Sequence, residues 1–276
     1  MANERHSVFR RAVAAQGEID LGRAALAVAQ DEYPALRPEV YLAKLDEYAA
    51  RARTFAGGEL NPYRLVASIN YVLFKQEGFR GNRGDYYDPR NSFLNDVIER
   101  KKGIPITLSV LYIEVAARAG LKLDGVGFPG HFLVKCVDGE DEIVIDPFDK
   151  GEVRTLEDLQ TLLDGLYNGK VALRPEFLAP VTHRQIIHRM LNNLKGIYLS
   201  EENLLKALSA AERLVILEPS SAPEIRDRGM LYLKLECFQQ AIGDLETYLR
   251  LAPDASDIDD VREQVVELKK GAARLH

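Results

Sequence analysis

The chain is poor in the features that would commit it to an oxidising compartment, a membrane or nucleic acid. It has two cysteines, Cys136 and Cys237, in what read as separate domains. A disulfide-stapled secreted scaffold carries more, at closer spacing, so a reducing cytoplasm is expected. Long apolar runs are missing as well. The most apolar stretch, residues 104–115, is too short to cross a bilayer and carries Glu114. Near the N-terminus, Glu18 and Asp20 interrupt any continuous apolar segment, which argues against a secretory leader. Basic residues are in deficit, with 36 Lys and Arg against 42 Asp and Glu and a net charge of −6. Affinity for phosphate backbones needs clustered Lys and Arg, so nucleic acid is not an expected partner. The one basic run, Arg100-Lys101-Lys102 after Glu99, reads as a solvated loop edge. Tryptophan is absent, which excludes no fold.

What remains is ordinary for a globular protein: 46% hydrophobic and 28% charged residues over 276 positions, enough for two modest domains. Val8, Ala12, Ala15, Ile19, Leu21, Ala25, Leu26 and Ala29 recur at helical spacing and predict one or two helices over 7–30. Pro38 opens a further helix, stopped by Gly57-Gly58, and Asn61-Pro62 opens another that ends near Gly78. Residues 81–91 are a polar loop of turn residues, after which Asn91 or Ser92 caps a short helix. Gly103 breaks that helix and Pro105 starts the next, which is apolar nearly all round and therefore buried. Strands are expected over 123–126, 130–136 and 143–145, with a hairpin turn at 138–141. Thr155, with Asp158 three residues on, caps a helix over 156–166. Pro175 and Pro180 mark a linker, which puts a domain boundary between 1–180 and 181–276.

The second domain repeats itself. Tyr198, Ala207, Leu217 and Pro219 recur as Tyr232, Ala241, Leu251 and Pro253, a shift of 34 residues and the period of a tetratricopeptide helix pair. Gly229 supplies the small residue this pattern wants, whereas Lys195 departs from it in the first copy. Residues 257–275 then read as a capping helix.

The chemistry-bearing residues lie between 103 and 148. A helix start, then His131 on a strand, then Asp146 at the end of the next strand is the order of a thiol hydrolase. Such enzymes place the nucleophile at a helix N-terminus, where the dipole favours a thiolate, but here no Cys occupies the helix start. Cys136 lies an odd five positions from His131, which on one strand points it to the opposite face, and Cys237 reads as a small core residue of the repeats. Thr107 and Ser109 are the hydroxyls near the helix start; each reads more simply as a hydrogen-bonded residue of a buried helix. Glu99, Arg100 and Glu114 read as rim charges. His183 and His188, five apart on a helix, share no face and lack a third ligand, so no metal site is expected. No Walker pattern occurs, and no cofactor is expected.

Four blocks, Asn91-Ser-Phe-Leu-Asn95-Asp-Val, Lys102-Gly-Ile-Pro-Ile-Thr-Leu-Ser109, Gly125-Val-Gly-Phe-Pro-Gly-His131-Phe-Leu-Val and Ile145-Asp-Pro-Phe148, resemble a bacterial transglutaminase-like family with C-terminal tetratricopeptide repeats. That family is labelled SirB-type, after a proposed regulator of invasion-gene expression. The resemblance spans nearly the whole chain. It implies an α+β fold: a transglutaminase-like (papain-like) core with a helical N-terminal part, followed by an α-helical tetratricopeptide-repeat region. It matches the catalytic His to His131 and its Asp to Asp146, and puts the nucleophile position within 105–107, on Pro105 or Ile106, neither of which can attack. Asn95, Pro105, Gly130 and Phe132, within the same blocks, become the binding residues. The expected function is a non-catalytic, cytoplasmic protein-interaction or regulatory module with a protein or peptide partner. The alternative is a hydrolase or acyl transferase using His131 and Asp146 with Ser109, Thr107 or a water.

Overall fold

The structure is a computed structural model in which residues 6–14, 17–58, 61–138 and 141–274 are described. Ala15, the tip of the 138–141 turn and Leu275 lie outside the described residues. The chain divides into two compact units, residues 7–190 and residues 191 onward together with His6.

The first unit is arranged around one helix. It opens with α1 (Ser7–Val13), α2 (Leu21–Val28), α3 (Pro38–Ala56) and α4 (Pro62–Asn70), the last prolonged by a π-helical turn, Tyr71–Gln76. The short strands β1 (Arg80–Gly81) and β2 (Lys102–Gly103) pair in parallel on either side of α5 (Leu94–Arg100). Then comes α6 (Pro105–Ala119), in which every residue from Pro105 to Ala116 is buried. Its apolar circumference requires cover on all sides. Helices α2, α3 and α4 pack against it, and so do strands of the sheet. That sheet is antiparallel throughout, in the order β6-β5-β4-β3-β7. Its strands are β3 (Asp124–Val126), β4 (Leu133–Asp138), β5 (Asp141–Asp146), β6 (Glu152–Arg154) and β7 (Pro180–Val181), with α7 (Leu156–Tyr167) between the last two. The expected capping box of α7 is present: Thr155 N–H donates to Asp158 at 2.8 Å and Asp158 N–H to the Thr155 hydroxyl at 3.2 Å.

Four local expectations give way. The cap of α5 is Phe93, without a side-chain hydrogen bond. Asn91 instead donates to the carbonyls of Asp85 at 2.6 Å and Tyr86 at 3.2 Å and accepts from Asn82 at 3.0 Å, because loop carbonyls turned inward need donors more than the helix end does. Lys101, not Gly103, terminates α5 in the left-handed region. Its ammonium bonds Glu77 and Tyr48 and lies 4.4 Å from the Phe79 ring centre, so the basic run is no solvated edge. Glu114 is buried rather than at a rim, held by Arg118 one turn on at 2.5 Å.

Helix α8 (His183–Ser200) carries the chain into the second unit, which continues through α9 (Leu204–Leu217), α10 (Ala222–Lys234), α11 (Phe238–Leu251) and α12 (Ile258–Arg274). The repeated Ala207 and Ala241 are fully buried. A Cβ on Gly229 would stand 3.0 Å from Leu245, the close approach the repeat demands. At the equivalent first-copy position the Lys195 ammonium is buried between Glu224 at 3.0 Å and Asp227 at 2.8 Å. Cys237 is half-buried at the start of α11 rather than in the core. Val261 and Val265 of α12 cover Ile242, Leu245 and Tyr248.

One tie fixes the loop that follows β5. Asn70 donates to the Gly151 carbonyl at 2.7 Å and accepts from the Tyr112 hydroxyl at 2.9 Å, while Gly151 sits at φ +76° with its Cα pressed on Asn70. A Cβ there would fall 1.9 Å from Asn70 Oδ1. Gly151→Ala should therefore cost about 1–2 kcal/mol for the left-handed backbone and more for the overlap. Urea denaturation is the measure, and an unchanged midpoint would show that Asn70 does not tie down this loop.

Candidate active site

The β4–β5 hairpin delivers the two candidate residues. Asp146 is the last residue of β5. His131 is not on a strand: it closes a turn in which its N–H donates to Phe128 at 3.0 Å, two residues before β4 begins, with Gly130 at φ +67°. A left-handed residue is needed to fold the chain back so tightly, and glycine adopts it without strain. The strand-face argument about Cys136 therefore lapses. Cys136 is buried in β4, opposite Ile143.

The ring and carboxylate meet. His131 Nε2 lies 3.0 Å and 3.1 Å from the two oxygens of Asp146. Asp146 also accepts the N–H groups of Phe148 at 3.1 Å and Asp149 at 3.3 Å, and lies 3.4 Å from the Arg154 guanidinium. Burial pushes this carboxyl up, but the hydrogen bond and charge of His131, the charge of Arg154 and the Asp149 N–H outweigh it and hold the group below the usual carboxylate range. An ionised Asp146 accepts the hydrogen bond of an Nε2–H, and in the neutral tautomer that donates it the imidazole lone pair rests on Nδ1. Among the described residues Nδ1 has no hydrogen-bond partner, and the ring lines a cavity of about 630 Å³.

Pro105, at the first turn of α6, lines the same cavity, as do Gly130, Tyr86, Tyr87 and Phe148. Ile106 is buried. The hydroxyls near the helix start are engaged elsewhere: Thr107 donates to the Asn91 carbonyl at 2.6 Å and accepts from Ile104 N–H at 3.2 Å, and Ser109 lies 3.5 Å from the Phe132 carbonyl. Asn95 is buried in α5 with its Oδ1 unbonded, and Phe132 is buried under the Arg189 guanidinium. The described lining of the cavity includes none of these last four. It does include residues that sequence reasoning passed over. Tyr86 and Tyr87 sat in a loop read only for its turn chemistry, and Arg83 and Arg154 carried no motif. Among the described residues no group of three His, Cys, Asp or Glu side chains is gathered to hold a metal ion.

An imidazole oriented by a carboxylate, set beside the first turn of a buried helix at the end of an antiparallel sheet, defines a transglutaminase-like protein. Residues 39–192 match the model of the transglutaminase-like superfamily, and residues 194–266 match that of the tetratricopeptide repeat. The chain belongs to the transglutaminase-like superfamily and carries a tetratricopeptide region after that domain. It is 38% identical over 256 residues to the UPF0162 protein of Xylella fastidiosa, covering 91% of each chain. It is 36% identical over 195 residues to the UPF0162 protein of Vibrio cholerae, covering 70% of this chain and 72% of that one. It is also 34% identical over 142 residues to mouse F-box only protein 21, covering 49% of this chain and 22% of that protein.

Two outcomes follow from the pairing. Because its folded-state pKa is depressed, Asp146 adds stability above the ordinary carboxylate value of about 3.9, and that stability is lost as pH falls through the lower folded value. The thermal midpoints of wild type and Asp146→Asn should thus differ at pH 7, begin to approach each other only below about pH 3.9 and meet below the depressed folded value; a constant gap would assign the loss to packing. Pro105→Cys should place a thiol at a helix start beside His131, so alkylation there should outpace that of Cys237 and slow in the Pro105→Cys, His131→Ala double variant. Equal rates would move the nucleophile position away from Pro105.

Proposed function

We propose that this chain is a non-catalytic transglutaminase-like protein whose His131–Asp146 cavity binds a peptide segment of a protein partner. The observation that carries the reading is Pro105. At the helix turn beside the imidazole the chain has a pyrrolidine, and Thr107 and Ser109 are turned to main-chain carbonyls. A cavity of this size with exposed tyrosines at its wall retains the means to hold a ligand without the atom that would attack it. Tetratricopeptide helices commonly supply docking surfaces, so the second unit supports a role in protein–protein interaction. A regulatory role in the cytoplasm belongs to the same proposal. No helix among the described residues is long and apolar enough to cross a membrane.

One observation favours a second reading. The unpartnered Nδ1 beside an ionised Asp146 is the arrangement of a general base, and a water could take the place of the missing nucleophile. The two readings separate on purified full-length chain. Binding of a random seven-residue peptide display library should fall about tenfold or more in His131→Trp, where bulk fills the cavity. Undiminished binding would place the interaction surface elsewhere. Ester or amide turnover that His131→Ala abolishes would establish the enzyme instead.

A further inference from the structure

Arg189, on α8 within the first unit, pairs with no anion among the described residues. Its Nη2 donates to the main-chain carbonyl of His131 at 2.7 Å, and the guanidinium lies 5.4 Å from the centre of the Phe132 ring. Nη1 and Nε donate to nothing among the described residues, yet neither is sealed from solvent. Among the described residues, the ionisable groups whose charge reaches it are the phenols of Tyr86 and Tyr167, and none is a carboxylate. The other cations around this cavity are matched. Arg83 lies 3.5 Å from Asp149, and Arg154 reaches both Asp146 and Asp149. Burying part of a guanidinium without a counter-charge is costly, and folded chains ordinarily supply one. Burial does lower the hold of Arg189 on its proton, the reverse of what a carboxylate partner would do.

The position of this unmatched charge is informative. Tyr86 lines the cavity beside Gly130 and His131. The Tyr167 hydroxyl stands 3.4 Å from where a Cβ on Gly130 would be. Tyr86 is on the cavity wall, whereas the Arg189 guanidinium on the His131 carbonyl and the Tyr167 hydroxyl by Gly130 adjoin that wall from behind these two lining residues. Burial pushes the Tyr86 phenol above its ordinary value, so it stays a donor at neutral pH. A guanidinium with free N–H groups, flanked by phenol donors, suits the two acceptor oxygens of a carboxylate.

We propose that Arg189, Tyr86 and Tyr167 form an anion subsite, and that the peptide held by the cavity places an Asp or Glu side chain there. The proposal rests on the reading that the cavity binds peptide, and it adds the charge of the ligand. It also gives Arg189 two tasks, since the same guanidinium that meets the ligand anchors the turn bearing His131.

Selection of the seven-residue library on immobilised full-length chain tests it. Wild type should enrich Asp and Glu at one motif position, and a synthetic selected peptide should bind about tenfold more tightly than its Gln or Asn counterpart. In Arg189→Gln that preference should vanish while the preferences at other positions persist. Should Arg189→Gln fail to fold, the Tyr86→Phe, Tyr167→Phe double variant reads the same preference with the anchor to His131 intact, and it should weaken. Enriched peptides with no acidic position would leave the peptide-binding cavity standing and overturn the subsite. No enrichment over His131→Trp would overturn both.

Discussion

The Asp146 carboxylate joins four pieces of chain: the turn that precedes β4, the end of β5, the tight turn over 147–149 and Arg154 at the end of β6. A carboxylate buried this deeply is tolerable only when its oxygens are saturated with donors, and the chain supplies an imidazole, two main-chain N–H groups and a guanidinium. The placement of the His131 ring is therefore part of the same structure that keeps the carboxylate charged. It would persist whether or not any reaction took place beside it.

The start of α6, where the sequence has no cysteine, is likewise held without a thiol. The core helix is held by hydrocarbon on all sides, and the first turn of α6 contributes by packing and by the Thr107 bonds, none of which needs sulfur. Proline is well suited to that turn in its own right, because its fixed φ starts a helix and its missing N–H would have been unbonded there. Proline at this position thus leaves the helix start sound.

The periodic parts of the chain could be read without a structure, because apolar spacing and helix punctuation are local properties. Pro38, Pro62 and Pro105 each open a helix, and the repeated Ala207 and Ala241 are buried where the period places them. The pairing of His131 with Asp146 could be anticipated from two residues flanking one hairpin, but the placement of His131 in a turn could not, since residues 130–136 pattern as one strand while the turn set by the left-handed Gly130 runs on through His131. The cavity wall was hidden for another reason. Tyr86, Arg154 and Arg189 come from segments far apart in the sequence, and nothing in the local pattern tells a tyrosine of a polar loop from one that faces an imidazole. Lys101 and Glu114 depart from the surface placement that a lone charge ordinarily takes, because each has found an opposite charge and a packed setting.

The two helix-pair copies are not interchangeable. Where the later one has Gly229 pressed on its neighbouring helix, the earlier one has an ammonium seated between two acidic side chains. Copying the earlier segment once more along the chain would carry a buried cation into a place with no assurance of matching acids. The later one carries its close-packing Gly229 and the Leu245 it meets within the same helix pair, so it is self-contained where the earlier one is not.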